Sequence, residues 1–181
     1  MPEIKTERIK NFILSETIIS YKDFFIDILS KFDMLKREIE ANRDNEKNAF
    51  YNEIKPKIEN DCRDVILHRL KDKYGYDLEL IKEKNESDNR VDINIKYKVN
   101  YSYEIQVECK RDFHREIIDG VQDQLIKKYL FPEIDISYGI YLIFYFDAST
   151  DKETLIKEVN DFIHIDKRDY IKVICIDLRR E

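Results

Sequence analysis

Glycine and proline are scarce in this chain, three of each among 181 residues. So few breakers exclude a loop-rich or low-complexity protein and predict regular elements with few designed turns. Cysteine is limited to Cys62, Cys109 and Cys175, with no CxxC pair. That argues against a metal or catalytic role and for three buried thiols in a reducing compartment. No run approaches the ~18 apolar residues of a membrane helix. The N-terminus has no apolar stretch followed by a small-residue cleavage site. The expectation is a soluble, cytoplasmic protein with no membrane partner. A surplus of positive charge is also missing. The net charge of −6 argues against a protein that simply coats nucleic acid. It leaves room for an enzyme whose acidic residues hold a cation.

What is present is a well-patterned chain. Hydrophobic residues make up 43% and charged residues 39%, so a core of ordinary size lies under a heavily solvated surface. Ile18, Tyr21, Phe25, Ile28, Phe32, Leu35 and Ile39 recur at alternating steps of three and four. That is a heptad-like helical seam. It either packs on its own domain or meets a partner, a second copy included. "EANRDNEKN" carries no apolar seam, so the helix continues solvated or breaks there. Pro56 is expected in the first turn of a new helix over about 57–73, ending at Gly75 as its C-cap.

Beyond Gly75 the period changes from helical to alternating. "LELIKEK" predicts a strand and "ESDN" a turn. In "RVDINIKYKV", Val91, Ile93, Ile95, Tyr97 and Val99 share one face, with Asp92, Asn94, Lys96 and Lys98 on the other. "YEIQVECKRD" follows, with Ile105, Val107 and Cys109 opposite Glu104, Gln106, Glu108 and Lys110. Short connections make these three strands an antiparallel meander. A helix over about 114–130 is ended by Pro132. "GIYLIFYF" reads as a strand buried on both faces. "DKETLIKEVNDFI" is an amphipathic helix with Ser149 or Asp151 as N-cap, and "IKVICIDL" is a last strand. The order predicts an α/β fold, a mixed β-sheet flanked by helices. We expect residues 1–55 as a helical extension and 56–181 as the main domain.

In a meander Asp92 lies beside Glu108. Two close carboxylates raise each other's pKa unless a cation sits between them. Mg²⁺ takes oxygen ligands, often one or two carboxylates plus phosphate and water, and the Cys109 backbone carbonyl adds one oxygen. Lys110 at the edge of such a site would orient or deprotonate water, or stabilise charge building on phosphorus. On the preceding helix, Glu59 falls within the buried stripe of Ile58, Cys62, Val65, Ile66 and Leu70. It either joins the cleft, through water to a metal, or is a border glutamate paired with a lysine.

Asp92, fifteen residues, then Glu108-Cys109-Lys110, set on helix–three strands–helix–strand, resembles the PD-(D/E)xK nuclease superfamily. This is the restriction-endonuclease-like fold of restriction enzymes and Holliday-junction resolvases. The resemblance spans roughly residues 57–146. It implies a metal-dependent phosphodiester hydrolase, a nuclease using Mg²⁺ with Mn²⁺ able to substitute. DNA is a more natural substrate than RNA, in defence, restriction or repair. Asp92 and Glu108 then match the metal ligands, Lys110 the catalytic lysine, and Glu59 the acid many members carry on the first core helix. Val91 stands where the motif has proline. Tyr129 follows Gln124 by five residues, one more than in an exonuclease-like subgroup. Gln124, Arg111, His114 and Lys128 flank the expected cleft as candidate nucleic-acid contacts, with Lys127 and Arg115 nearby. Such contacts set position, not sequence preference. The alternative is a non-catalytic assembly or binding subunit that keeps the fold.

Overall fold

The computed structural model describes residues 18, 20–82, 91–100, 102–130, 137–147 and 149–180, without the side chains of residues 44 and 129. The expected "ESDN" turn, the end of "LELIKEK" and Pro132 lie outside the described residues.

The first described helix, α1, spans Tyr21–Glu40. Ser20 caps it reciprocally: its hydroxyl accepts the Asp23 N–H while Asp23 accepts the Ser20 N–H. Its apolar stripe of Phe24, Phe25, Ile28, Phe32, Leu35 and Ile39 is buried. The seam breaks at Asn42, which takes a left-handed φ of 48°, and a 3₁₀ helix runs Arg43–Phe50. Next comes a small hairpin, β1 (Tyr51–Asn52) with β2 (Lys55–Pro56), in which Tyr51 pairs with Pro56. This corrects the expected place of Pro56. It sits in the hairpin, and helix α2 begins only at Glu59, running to Tyr74. Gly75 is its C-cap, right-handed at φ −63°. Ile58 is exposed, whereas Cys62, Ile66 and Leu70 are buried as the stripe predicts.

Five strands form the main sheet: β3 (Leu78–Ile81), β4 (Ile93–Tyr97), β5 (Glu104–Arg111), β6 (Tyr138–Tyr145) and β7 (Ile171–Asp177), in that spatial order. β3, β4 and β5 form the antiparallel meander; β6 and β7 add in parallel. Parallel neighbours need crossovers. Helix α3 (Val121–Leu130), wound as a π-helix, lies between β5 and β6, and α4 (Lys152–Phe162) lies between β6 and β7. Asp151 caps α4 by accepting the Thr154 N–H at 3.0 Å. Every residue of β6 is buried. The expected start of the third helix at 114 is too early: residues 115–118 are turns.

Each sheet face has its own core. On one, α1 and α2 pack on Ile93, Ile95, Ile105, Val107, Cys109 and Leu142. On the other, Val121 and Leu125 of α3 and Leu155 and Val159 of α4 pack on Tyr141, Ile143 and Cys175. The heptad-like seam of α1 is therefore covered by its own sheet. No core boundary falls at 55/56, since α1 shares a core with the strands and the β1–β2 hairpin spans that point. The three thiols are buried and free. Burial pushes Cys62 and Cys175 up to about 12. No helix among the described residues is long and apolar enough to cross a membrane.

Candidate functional site: a carboxylate–lysine cluster at the β4–β5 fork

The β4–β5 ladder ends at the Ile93–Val107 pair. One residue before β4, Asp92 takes over by side chain what a strand would do by backbone. Its Oδ2 accepts the Cys109 N–H at 2.8 Å. The alternation of β5 keeps Cys109 in the apolar core and turns Glu108 and Lys110 to the other face. Both charged side chains are buried, 4% and 5% exposed. A buried charge must be paired or it is lost, and Lys110 Nζ lies 2.7 Å from Glu108 Oε1.

Glu59, at the start of α2, completes the cluster from the neighbouring layer. Its Oε1 is 3.5 Å from Lys110 Nζ, and its Oε2 accepts the Arg111 N–H at 3.2 Å. Asp92, Glu108, Lys110 and Glu59 are thus brought together. Of the two readings of Glu59, the lysine pairing is realised, and with the cluster's own lysine.

Arg63 was not singled out from the sequence, yet it is only 1% exposed. Its guanidinium lies 3.2 Å from Asp92 Oδ1, 3.1 Å from Asp64 Oδ1 and 3.2 Å from Asn60 Oδ1. A usable signal existed: 59, 63, 66 and 70 follow the i, i+4, i+7, i+11 rule of one helix face. Gly120 was also missed. A Cβ there would sit 2.7 Å from the Tyr141 hydroxyl and 3.4 Å from Lys110 Cε. That hydroxyl donates to the Ile117 carbonyl at 2.9 Å. Glycine lets the chain entering α3 close over the lysine.

Burial, and next the Asp92 charge, push the Glu108 carboxyl from the ordinary 4.5 up to about 7, against the opposing pull of Lys110. Burial alone would lower Lys110, but Glu108 and Glu59 outweigh it and hold its pKa above the usual lysine value. At neutral pH Lys110 is therefore a hydrogen-bond donor and a positive charge, not a base.

The metal expectation can be set against the donors present. Among the described residues, no three His, Cys, Asp or Glu side chains converge into a ready-made metal cluster. Two carboxylates do meet at the fork, and Glu108 Oε2 is buried with no hydrogen-bond partner. An orphaned buried carboxylate oxygen is the acceptor a cation satisfies. Both Asp92 oxygens have protein partners, though each can accept more than one. Were a hard divalent cation to bind here, Asp92 and Glu108 would be the carboxylates to hold it, and Arg63 already occupies Asp92 Oδ1. The thiol of Cys109 lies in the apolar core, so only its backbone could contribute.

The other sequence candidates are more dispersed. Arg111 donates from Nη1 to the Lys57 carbonyl at 3.3 Å and stacks over Phe113 at 4.5 Å. His114 Nδ1 accepts the Glu116 N–H at 3.1 Å. Gln124 donates to Glu116 Oε2 at 3.1 Å, and its own carbonyl oxygen is buried without a partner. Lys128 is exposed on α3. Lys127 pairs with Asp123 at 2.6 Å, and Arg115 with Glu116 at 3.3 Å.

This chain belongs to the DUF8371 family, described as a domain of unknown function, which matches residues 24–148. The matched segment runs from α1 through β6 and contains all four clustered residues and Arg63. No curated protein and no solved structure is detectably similar to the chain.

Proposed function

We propose that the chain is a metal-dependent nuclease of restriction-endonuclease-like fold that hydrolyses phosphodiester bonds in DNA. The observation that carries this reading is the convergence of Asp92, Glu108, Lys110 and Glu59 at one fork of the sheet. The antiparallel β3–β4–β5 meander with β6 added in parallel after a helix supports the same reading. A buried orphan carboxylate oxygen beside a second carboxylate supports a cation there.

Asp92 and Glu108 would hold Mg²⁺, or Mn²⁺ in its place. When bound, such an ion supplies Lewis-acid charge stabilisation and a more acidic water. The chain's own groups divide the rest. Lys110, kept as an ammonium, donates to a phosphate oxygen and offsets negative charge that grows during attack. Glu59 holds Lys110 from behind and is fixed by the Arg111 N–H. Glu108 must be ionised to serve as a ligand, and a bound cation would favour that form. Exposed Lys128 on α3 and His114 before it stand as phosphate contacts.

The test is a cleavage assay on end-labelled linear duplex, circular plasmid, single-stranded DNA and RNA, with Mg²⁺ or Mn²⁺. Metal-dependent cutting of DNA, lost in Asp92→Asn, supports the reading. RNA cutting alone would reassign the substrate, and metal-independent cutting would remove the assignment.

A second reading, a non-catalytic assembly subunit, is favoured by one observation. Arg63 and the Cys109 N–H occupy both oxygens of Asp92, and Lys110 is paired on two sides. Absence of Mn²⁺ binding at the fork by calorimetry would favour it.

A further inference from the structure

One feature beside the cluster is not explained by hydrolysis. Where β5 ends, Asp112 ties the backbone of two strands together. Its Oδ2 accepts the N–H groups of Phe146 at 3.0 Å and Asp147 at 2.7 Å, and its Oδ1 accepts that of Phe113 at 3.1 Å. The corner so fixed carries three rings with an arginine at each end. The Arg111 guanidinium lies 4.5 Å from the Phe113 ring. Phe113 is 6.3 Å from Phe146, and Phe146 meets Tyr51 edge-on at 5.3 Å. Arg180 covers Tyr51 at 3.7 Å. Tyr51 is anchored in turn, its hydroxyl donating to the Leu178 carbonyl at 2.8 Å.

The strip begins at the cluster itself, because the Arg111 N–H is the group that holds Glu59. It also ends in solvent. Phe113 is 49% exposed, and Arg180 is exposed. A half-exposed ring with a guanidinium over it, and a second guanidinium at the far end of the strip, matches the chemistry that binds unpaired nucleotides. Bases stack on the ring whatever their identity, and the cations meet the phosphates. A base paired in a duplex keeps its faces buried in its own stack. Stacking of this kind discriminates in favour of unpaired strands.

We propose that the Arg111–Phe113–Phe146–Tyr51–Arg180 strip is a binding platform for single-stranded nucleic acid, with Phe113 as the stacking ring, feeding the strand to the carboxylate–lysine cluster. This inference rests on the nuclease reading for the strand's destination. Binding to the strip is separable from that reading.

The test is fluorescence anisotropy of labelled oligo(dT) and oligo(U) in EDTA at low salt, where no metal-dependent cleavage can occur. Wild type is expected to bind both oligonucleotides. Phe113→Ala should weaken binding by about tenfold, the order expected for one lost base stack. Phe113→Trp should restore it. Arg180→Gln should make the salt dependence shallower by about one phosphate contact. Unlabelled duplex should compete poorly. A thermal melt of Phe113→Ala matching wild type shows that the exposed ring, not the fold, is being tested. Equal affinity of Phe113→Ala and wild type, duplex competing as well as single strand, or no binding at all would each overturn the platform. If binding behaves as expected but no metal-dependent cleavage is found, the nuclease reading fails and the platform stands.

Discussion

Arg63 Nη1 lies 3.2 Å from Asp92 Oδ1, and Arg63 is all but inaccessible to solvent. A buried guanidinium on a carboxylate fixes that carboxylate's orientation and neutralises it. It also competes with any cation for the same oxygen. This pair decides how the fork behaves with and without metal. Arg63→Ala should destabilise the metal-free protein by about 3 kcal/mol, the cost of stranding a buried partner. Mn²⁺ should then raise the melting temperature of Arg63→Ala more than that of wild type, since binding to the native state stabilises it. Equal shifts in a thermal melt would show that the arginine does not compete.

Glu108 makes stability depend on pH in a defined direction. Its folded pKa, raised to about 7 from an ordinary 4.5, means that the native state binds this proton more tightly than the unfolded chain. The resulting stabilisation is complete below about 4.5 and is lost as pH rises through about 7. Its size is on the order of 3 kcal/mol. Melts in EDTA should show this loss between pH 5 and roughly 8, and Glu108→Gln should remove it. Mn²⁺ binding should strengthen over the same interval, because a ligand carboxylate must be ionised. A melting temperature for Glu108→Gln that tracks wild type across this range would place the proton elsewhere.

Gly120 sets the distance between the entry to α3 and the lysine. Gly120→Ala places a methyl against the Tyr141 hydroxyl and Lys110 Cε. Overpacking of this kind costs about 1–3 kcal/mol. We expect a lower melting temperature and a reduced rate of metal-dependent cleavage. Unchanged values for both would mean that the corner yields freely.

The α1 seam faces the sheet of its own chain. Phe32 is fully buried there, so Phe32→Ala should cost about 3–5 kcal/mol. The solution mass of the protein should stay the same. A change of oligomeric state without loss of stability would assign the seam to a partner instead.

Much of this arrangement was legible in the sequence because strand alternation is a strong constraint. Asp92 and Glu108 could be set side by side from period and short connections alone, and the observed register puts Ile93 opposite Val107 as that requires. Gln106, Glu108 and Lys110 share a face for the same reason. What escaped was set by tertiary context. Arg63 shares the helix face of Ile66 and Leu70, but among so many charges that spacing stands out only once its neighbours show that it is buried. Pro56 reads as a helix start because the two-residue loop of its hairpin is Glu53-Ile54, with Glu53 at a φ of 56° and no glycine or asparagine at either loop position. The late start of α3 hid behind an apolar spacing that turns at 115–118 also satisfy. The fate of the α1 seam could not be read either, since a heptad-like stripe does not say which surface covers it.

Lys110 tests the central claim most directly. Single-turnover cleavage of labelled DNA by wild type and Lys110→Ala should be compared at saturating Mn²⁺, with Mn²⁺ binding measured on the same samples. The account predicts that the variant still binds the ion and folds but cleaves at least about 100-fold more slowly, the scale of a lost charge-stabilising donor. Cleavage by Lys110→Ala at the wild-type rate would contradict it.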